Sequence, residues 1–120
     1  MKRGFDRRER VADLIQKSLA EILLRDMSDN RFRFVTITGV ELSKDLSYAK
    51  VYVSVLSDDE NQIKETVLAL NQETKLLRYR LAHAVKLRIV PELKFVYDES
   101  TARGFRISTL IDSAQKKSEK

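Results

Sequence analysis

The sequence predicts an α+β domain in which a three-stranded sheet packs against helices, in the order α-β-β-α-α-β with a short C-terminal helix. Three patterns carry this: an apolar stripe at spacings of three and four in the first 25 residues, two alternating β-branched runs joined by a short turn, and a long helical region ending near Pro91 before another alternating run. At 120 residues and 42% hydrophobic content the chain can bury one modest core. A single domain over 1–120 is expected, with a basic lead at 1–8 and a polar, frayed tail at 113–120.

In the first helix Val11, Leu14, Ile15, Leu19, Ile22 and Leu23 form the stripe, with Ser18 inside it, and Ser28, Asp29 and Asn30 end the pattern. The run "FRFVTITGVEL" predicts a strand from Phe32, with Phe32, Phe34, Thr36 and Thr38 on one parity and Val35 and Ile37 on the other. The apolar parity then moves to Val40 and Leu42, so a bulge or sharp twist is expected at Gly39, glycine being the least costly residue for one. "SKD" turns the chain into a second strand, with Ala49, Val51, Val53 and Val55 on one face and Tyr48, Lys50, Tyr52 and Ser54 on the other. So short a connection implies antiparallel pairing.

Asp58 or Asp59 caps the helical region that follows, with Glu60 favourable in its first turn. Charge divides that region. Asp58 to Glu73 holds five acids and one lysine, whereas Lys75, Arg78, Arg80, Lys86 and Arg88 follow with no acid among them. On a helix from Lys75 to Arg88, Leu77, Leu81, Ala84 and Val85 cluster on one side and Lys75, Tyr79, His83 and Lys86 on the other. Leu93, Phe95 and Tyr97 share one face of a third strand, and Ile107, Leu110, Ile111 and Ala114 mark the final helix.

Several function classes are excluded by inventory. One histidine and no cysteine leave no metal-ligand set, no disulfide framework and no thiolate nucleophile. Gly4, Gly39 and Gly104 are too scattered for a phosphate-binding loop. The carboxylate pairs Asp58/Asp59 and Asp98/Glu99 sit at element ends, where capping and turn formation account for them. No enzyme, no cofactor and no membrane association are expected, and a cysteine-free chain without a signal-peptide core suits the cytoplasm.

The basic residues remain. The chain carries 23 Lys and Arg against 18 Asp and Glu, a net charge of +5. Lys2, Arg3, Arg7, Arg8 and Arg10 crowd its start, and Lys75, Arg78, Arg80, Lys86 and Arg88 form a second concentration, with Tyr79 available for stacking and His83 beside the phosphates. Lys44 and Lys50 are weaker RNA-binding candidates. Zinc-ligand spacing and a heptad dimer are absent, which leaves an RNA-type module such as KH, although no GXXG loop is present. A rival reading is a protein-docking module that uses Tyr48 and Tyr52 on the outer face of the sheet.

From "RRERVADLIQKSLAEIL" through "VTITGVELSKDLSYAKVYVSVL" and "LRIVPELKFVYDES" to "GFRISTLI" the chain resembles the bacterial ribosome-binding factor A family. The resemblance implies a type II KH fold and a non-enzymatic cytoplasmic factor, and a monomer is expected. Such a factor binds the free 30S subunit and its 16S rRNA near the decoding neck, assists late rRNA maturation, matters most in the cold, and is released in connection with an assembly GTPase. The family replaces the GXXG loop by a kink at an Ala-x-Gly element. The matching positions here hold Glu73, Thr74 and Lys75, a departure that implies a milder bend or short break.

Overall fold

The computed structural model describes residues 7–100. Lys2, Arg3, the C-terminal helix expected around Ile107, Leu110, Ile111 and Ala114, and the tail from 113 lie outside the described residues. The elements are α1 (Arg7–Arg25), a 3-10 turn (Asn30–Phe34), β1 (Val35–Leu42), β2 (Tyr48–Val55), α2 (Glu60–Gln72), α3 (Thr74–Ala84) and β3 (Glu92–Tyr97). The sheet order is β1-β2-β3, with β1 and β2 antiparallel and β2 and β3 parallel. The parallel pair is closed by the two-helix crossover, as it must be, because a short turn cannot join parallel neighbours. The result is an α+β fold of KH-like topology with a mixed three-stranded sheet packed against helices.

Strand alternation gives the sheet one dry face. Val51, Val53 and Phe95 are almost wholly buried there against Ile15 and Leu19 of α1, Leu70 of α2, and Leu77 and Leu81 of α3. Each such side chain stabilises the fold by about 1.5–3 kcal/mol on burial. The stripe of α1 is narrower than expected: Leu14 is 42% exposed while its neighbour Ile15 is buried. One residue turns a helix by about 100°, which carries Leu14 off the packed face.

The first strand also begins later than expected. Phe32 and Phe34 belong to the 3-10 turn, not to the strand, and the ring of Phe32 enters the core while that of Phe34 is exposed. The reason is local: the Asp29 carboxylate caps this turn, accepting from the Arg31 backbone N–H at 2.9 Å and from its guanidinium at 2.8 and 3.1 Å. Hydrogen bonding from Arg31 holds the Asp29 carboxyl below its ordinary range.

The β1–β2 register shifts between Ile37, opposite Val53, and Gly39, opposite Tyr52, which leaves Thr38 as the extra residue. The Thr38 hydroxyl donates to Asp98 Oδ2 at 2.6 Å. Gly39 has no positive φ, and a Cβ built on it meets nothing within 4 Å, so neither backbone nor space demands glycine there. In the following turn Leu46 takes a φ of 64°, and the Asp45 carboxylate accepts from both Ser43 and Ser47.

Both outer edges of the sheet are met by an amide side chain. Gln16 of α1 donates to the Ile37 carbonyl at 3.0 Å. Asn71 of α2 donates to the Phe95 carbonyl at 3.0 Å and accepts from the Phe95 N–H at 2.8 Å, which completes the backbone pairing at the middle of β3.

Candidate nucleic-acid interface

Asp59 caps α2 by accepting from the N–H groups of Asn61 and Gln62, and the helix runs to Gln72. Glu73 (φ −103°, ψ 14°) then separates α2 from α3 without any side-chain cap. The break re-aims the chain, so that α2 packs on β3 and the 3-10 turn while α3 packs on α1 and β3.

The sequence of α3, "TKLLRYRLAHA", contains no acid. Leu77 and Leu81 are buried, and Lys75, Tyr79, Arg80 and His83 are exposed. Neither Lys75 nor Arg80 has an ion-pair or hydrogen-bond partner among the described residues. Lys75 stands in the first turn of its helix, and Arg7, Arg8 and Arg10 in the first turns of α1. Cations at a helix N-terminus oppose the helix dipole and weaken it by a few tenths of a kcal/mol each. Helix stability therefore does not account for their placement.

The helix ends at Ala84, earlier than expected, because Val85 adopts extended backbone (φ −130°, ψ 149°) with its side chain buried. Ala84 is accordingly exposed, not packed as the periodicity implied, and Lys86 and Arg88 project from the connection to β3 rather than from the helix. Arg78 has a different task from its neighbours. Its Nε donates to the Pro91 carbonyl at 3.0 Å and its Nη2 to the Val90 carbonyl at 2.8 Å, which ties α3 to the approach of β3. It is half-buried, and both of these bonds are spent on the fold. Arg7 and Arg8 open α1 rather than lying in a preceding lead.

The other candidates stand apart. Lys44 is exposed in the hairpin turn. Lys50 is on the open face of the sheet, its Nζ 5.9 Å from the centre of the Tyr52 ring, while the Tyr52 hydroxyl donates to Glu41 at 3.1 Å. Lys94, which sequence reasoning missed, sits in register beside Lys50 on β3. The signal was present in the alternation of Leu93 and Phe95, which puts Lys94 on the opposite face. Glu41 opposite Lys50 and Glu92 beside Tyr48 balance these lysines, so the open face lacks the one-signed charge of α3. Among the described residues there is no cluster of three metal-ligating side chains and no helix long and apolar enough to cross a membrane.

A family model described as "Ribosome-binding factor A" matches residues 7–111. The ribosome-binding factor A of Nitrosomonas europaea is 46% identical over 114 residues, covering 95% of this chain and 97% of the relative. The crystal structure of ribosome-binding factor A from Thermus thermophilus aligns with a TM-score of 0.64 at 29% identity, over 75% of this chain and 94% of that one. A homology model of the Thermus thermophilus factor, fitted into the cryo-EM map of a complex with 30S, aligns with a TM-score of 0.60 at 30% identity, over 73% and 91%. An acid-free helix face and a KH-like sheet thus occur together with a match along nearly the whole described chain, and the chain belongs to the ribosome-binding factor A family, whose members are non-enzymatic.

Proposed function

We propose that this protein is a monomeric cytoplasmic assembly factor that binds the free 30S subunit through its 16S rRNA, assists late rRNA maturation, and is needed most in the cold. The 30S complex described for the Thermus thermophilus relative supports the choice of partner. The observation that carries the reading is the α3 face, where Lys75 and Arg80 are exposed, unpaired and free of neighbouring acids on their helix. Arg7, Arg8 and Arg10 on α1, Lys86 and Arg88 beyond α3, and the chain-start residues Lys2 and Arg3 extend the phosphate contacts, and release involves an assembly GTPase.

Phosphate contact of this kind gives affinity that falls steeply with salt. Cosedimentation with free small subunits tests it. Lys75→Glu with Arg80→Glu weakens binding and lowers the slope of log affinity against log salt by roughly one per lost contact. Arg78 is left intact, since reversing it would disturb the fold as well. Unchanged binding by the double variant rejects the site. Tyr48, 60% exposed on the open sheet face, favours a second reading as a protein-docking surface. Binding to ribosomal proteins but not to purified rRNA would select it.

A further inference from the structure

Lys75, Tyr79 and His83 are four residues apart in turn and stand in one line along α3. Tyr79 is 60% exposed, and its ring meets that of His83 with centroids 4.4 Å apart and planes tilted by 48°. Attraction for phosphate requires no such pair.

The imidazole shows what the pair is suited to. His83 Nδ1 lies 2.8 Å from the Tyr79 carbonyl oxygen. A carbonyl only accepts, so Nδ1 carries the proton, and in the neutral ring Nε2 is left as an acceptor. His83 is exposed, and Nε2 has no partner among the described residues. In that neutral ring a phosphate oxygen does not satisfy this nitrogen, because it too accepts. A ribose 2′-hydroxyl can, being a donor that RNA has and DNA lacks. The exposed surface of the Tyr79 ring, steadied by its histidine neighbour, offers a platform for a base, but only for a base that is not already stacked in a duplex.

We propose that Tyr79 and His83 form a recognition site for an unpaired ribonucleotide: the base stacks on Tyr79, its 2′-hydroxyl donates to His83 Nε2, and Lys75 and Arg80 hold the flanking phosphates. The site rests on the reading of α3 as an RNA-binding face and adds to it a preference for single strands and for ribose.

Fluorescence anisotropy with labelled oligo(A), labelled oligo(dA) and the oligo(A)·oligo(U) duplex tests this. The parent protein binds oligo(A) more tightly than the other two. Tyr79→Ala weakens oligo(A) binding by roughly tenfold and barely alters duplex binding, while Tyr79→Phe retains most of it. His83→Phe keeps a ring beside Tyr79 but removes the acceptor, so the preference for oligo(A) over oligo(dA) disappears. Both side chains are exposed, and unchanged thermal unfolding shows that the variants remain folded. Equal binding of oligo(A) and oligo(dA) by the parent, or an unaffected Tyr79→Ala, overturns this site. If Lys75→Glu with Arg80→Glu still weakens binding to small subunits, the broader RNA reading survives that result. Absence of binding to every probe and to small subunits overturns both.

Discussion

Arg78 separates fold from function within a single helix. Removing its side chain as Arg78→Ala leaves the carbonyls of Val90 and Pro91 without the donors that now lie 2.8 and 3.0 Å away. A hydrogen bond from a charged donor contributes about 1.5–3 kcal/mol. Here one half-buried guanidinium makes both bonds, and water reaches the vacated carbonyls in part, so the two together are worth about 2–3 kcal/mol rather than twice the single value. For a domain of about 100 residues that corresponds to a fall in Tm of roughly 10 °C. Circular dichroism melts of Arg78→Ala, Arg78→Lys, Lys75→Ala and Arg80→Ala measure it. A lysine can restore one donor but not the fork, so Arg78→Lys falls between Arg78→Ala and the parent. Lys75→Ala and Arg80→Ala stay within about 0.5 kcal/mol of the parent, as unpaired surface residues do. An Arg78→Ala protein that melts with the parent would refute the clamp.

Two further outcomes follow from geometry elsewhere. Gly39→Ala is expected to stabilise the protein by about 0.4–1 kcal/mol in urea unfolding, because an added Cβ meets nothing and restricts the unfolded chain; a loss of stability would mean that the bulge needs glycine after all. The lowered folded-state value of Asp29, caused chiefly by its hydrogen bond from the Arg31 side chain, makes a stability contribution that is present above the ordinary carboxylate range and is lost as pH falls through the lowered value. Any stability advantage of the parent over Asp29→Asn at neutral pH therefore closes on acidification; an advantage that widens in acid has the wrong sign for this account.

Residues whose partners are close in sequence, or whose period is regular, could be read before the fold was known. The alternating valines of β2, the parity change around Gly39 and the charge boundary at Glu73 all correspond to structural events. Arg78 could not be read in this way. On a helical wheel it is one more cation, and only the return of the chain at Val90 and Pro91 supplies the carbonyls that claim it. Asn71 was invisible for the same reason, since Phe95 lies 24 residues away. Phe32 and Phe34 misled because alternation of aromatic residues looks alike in a strand and in a short turn held by a neighbouring carboxylate. The end of α3 at Val85 was hidden because the apolar pattern continues past the point where the backbone extends.

The amides at the two edges of the sheet have a consequence that depends on concentration. Asn71 occupies the donor and the acceptor that an incoming strand would seek at the middle of β3. Asn71→Ala both loosens the native edge and uncovers a short template for another chain, so its damage is first-order in dilute solution and second-order in concentrated solution. Asn71→Ala melting curves that do not change across the variant's own dilution series would show no such template, whereas a loss of soluble protein that accelerates with concentration identifies Asn71 as a guard on association as well as a support for the strand.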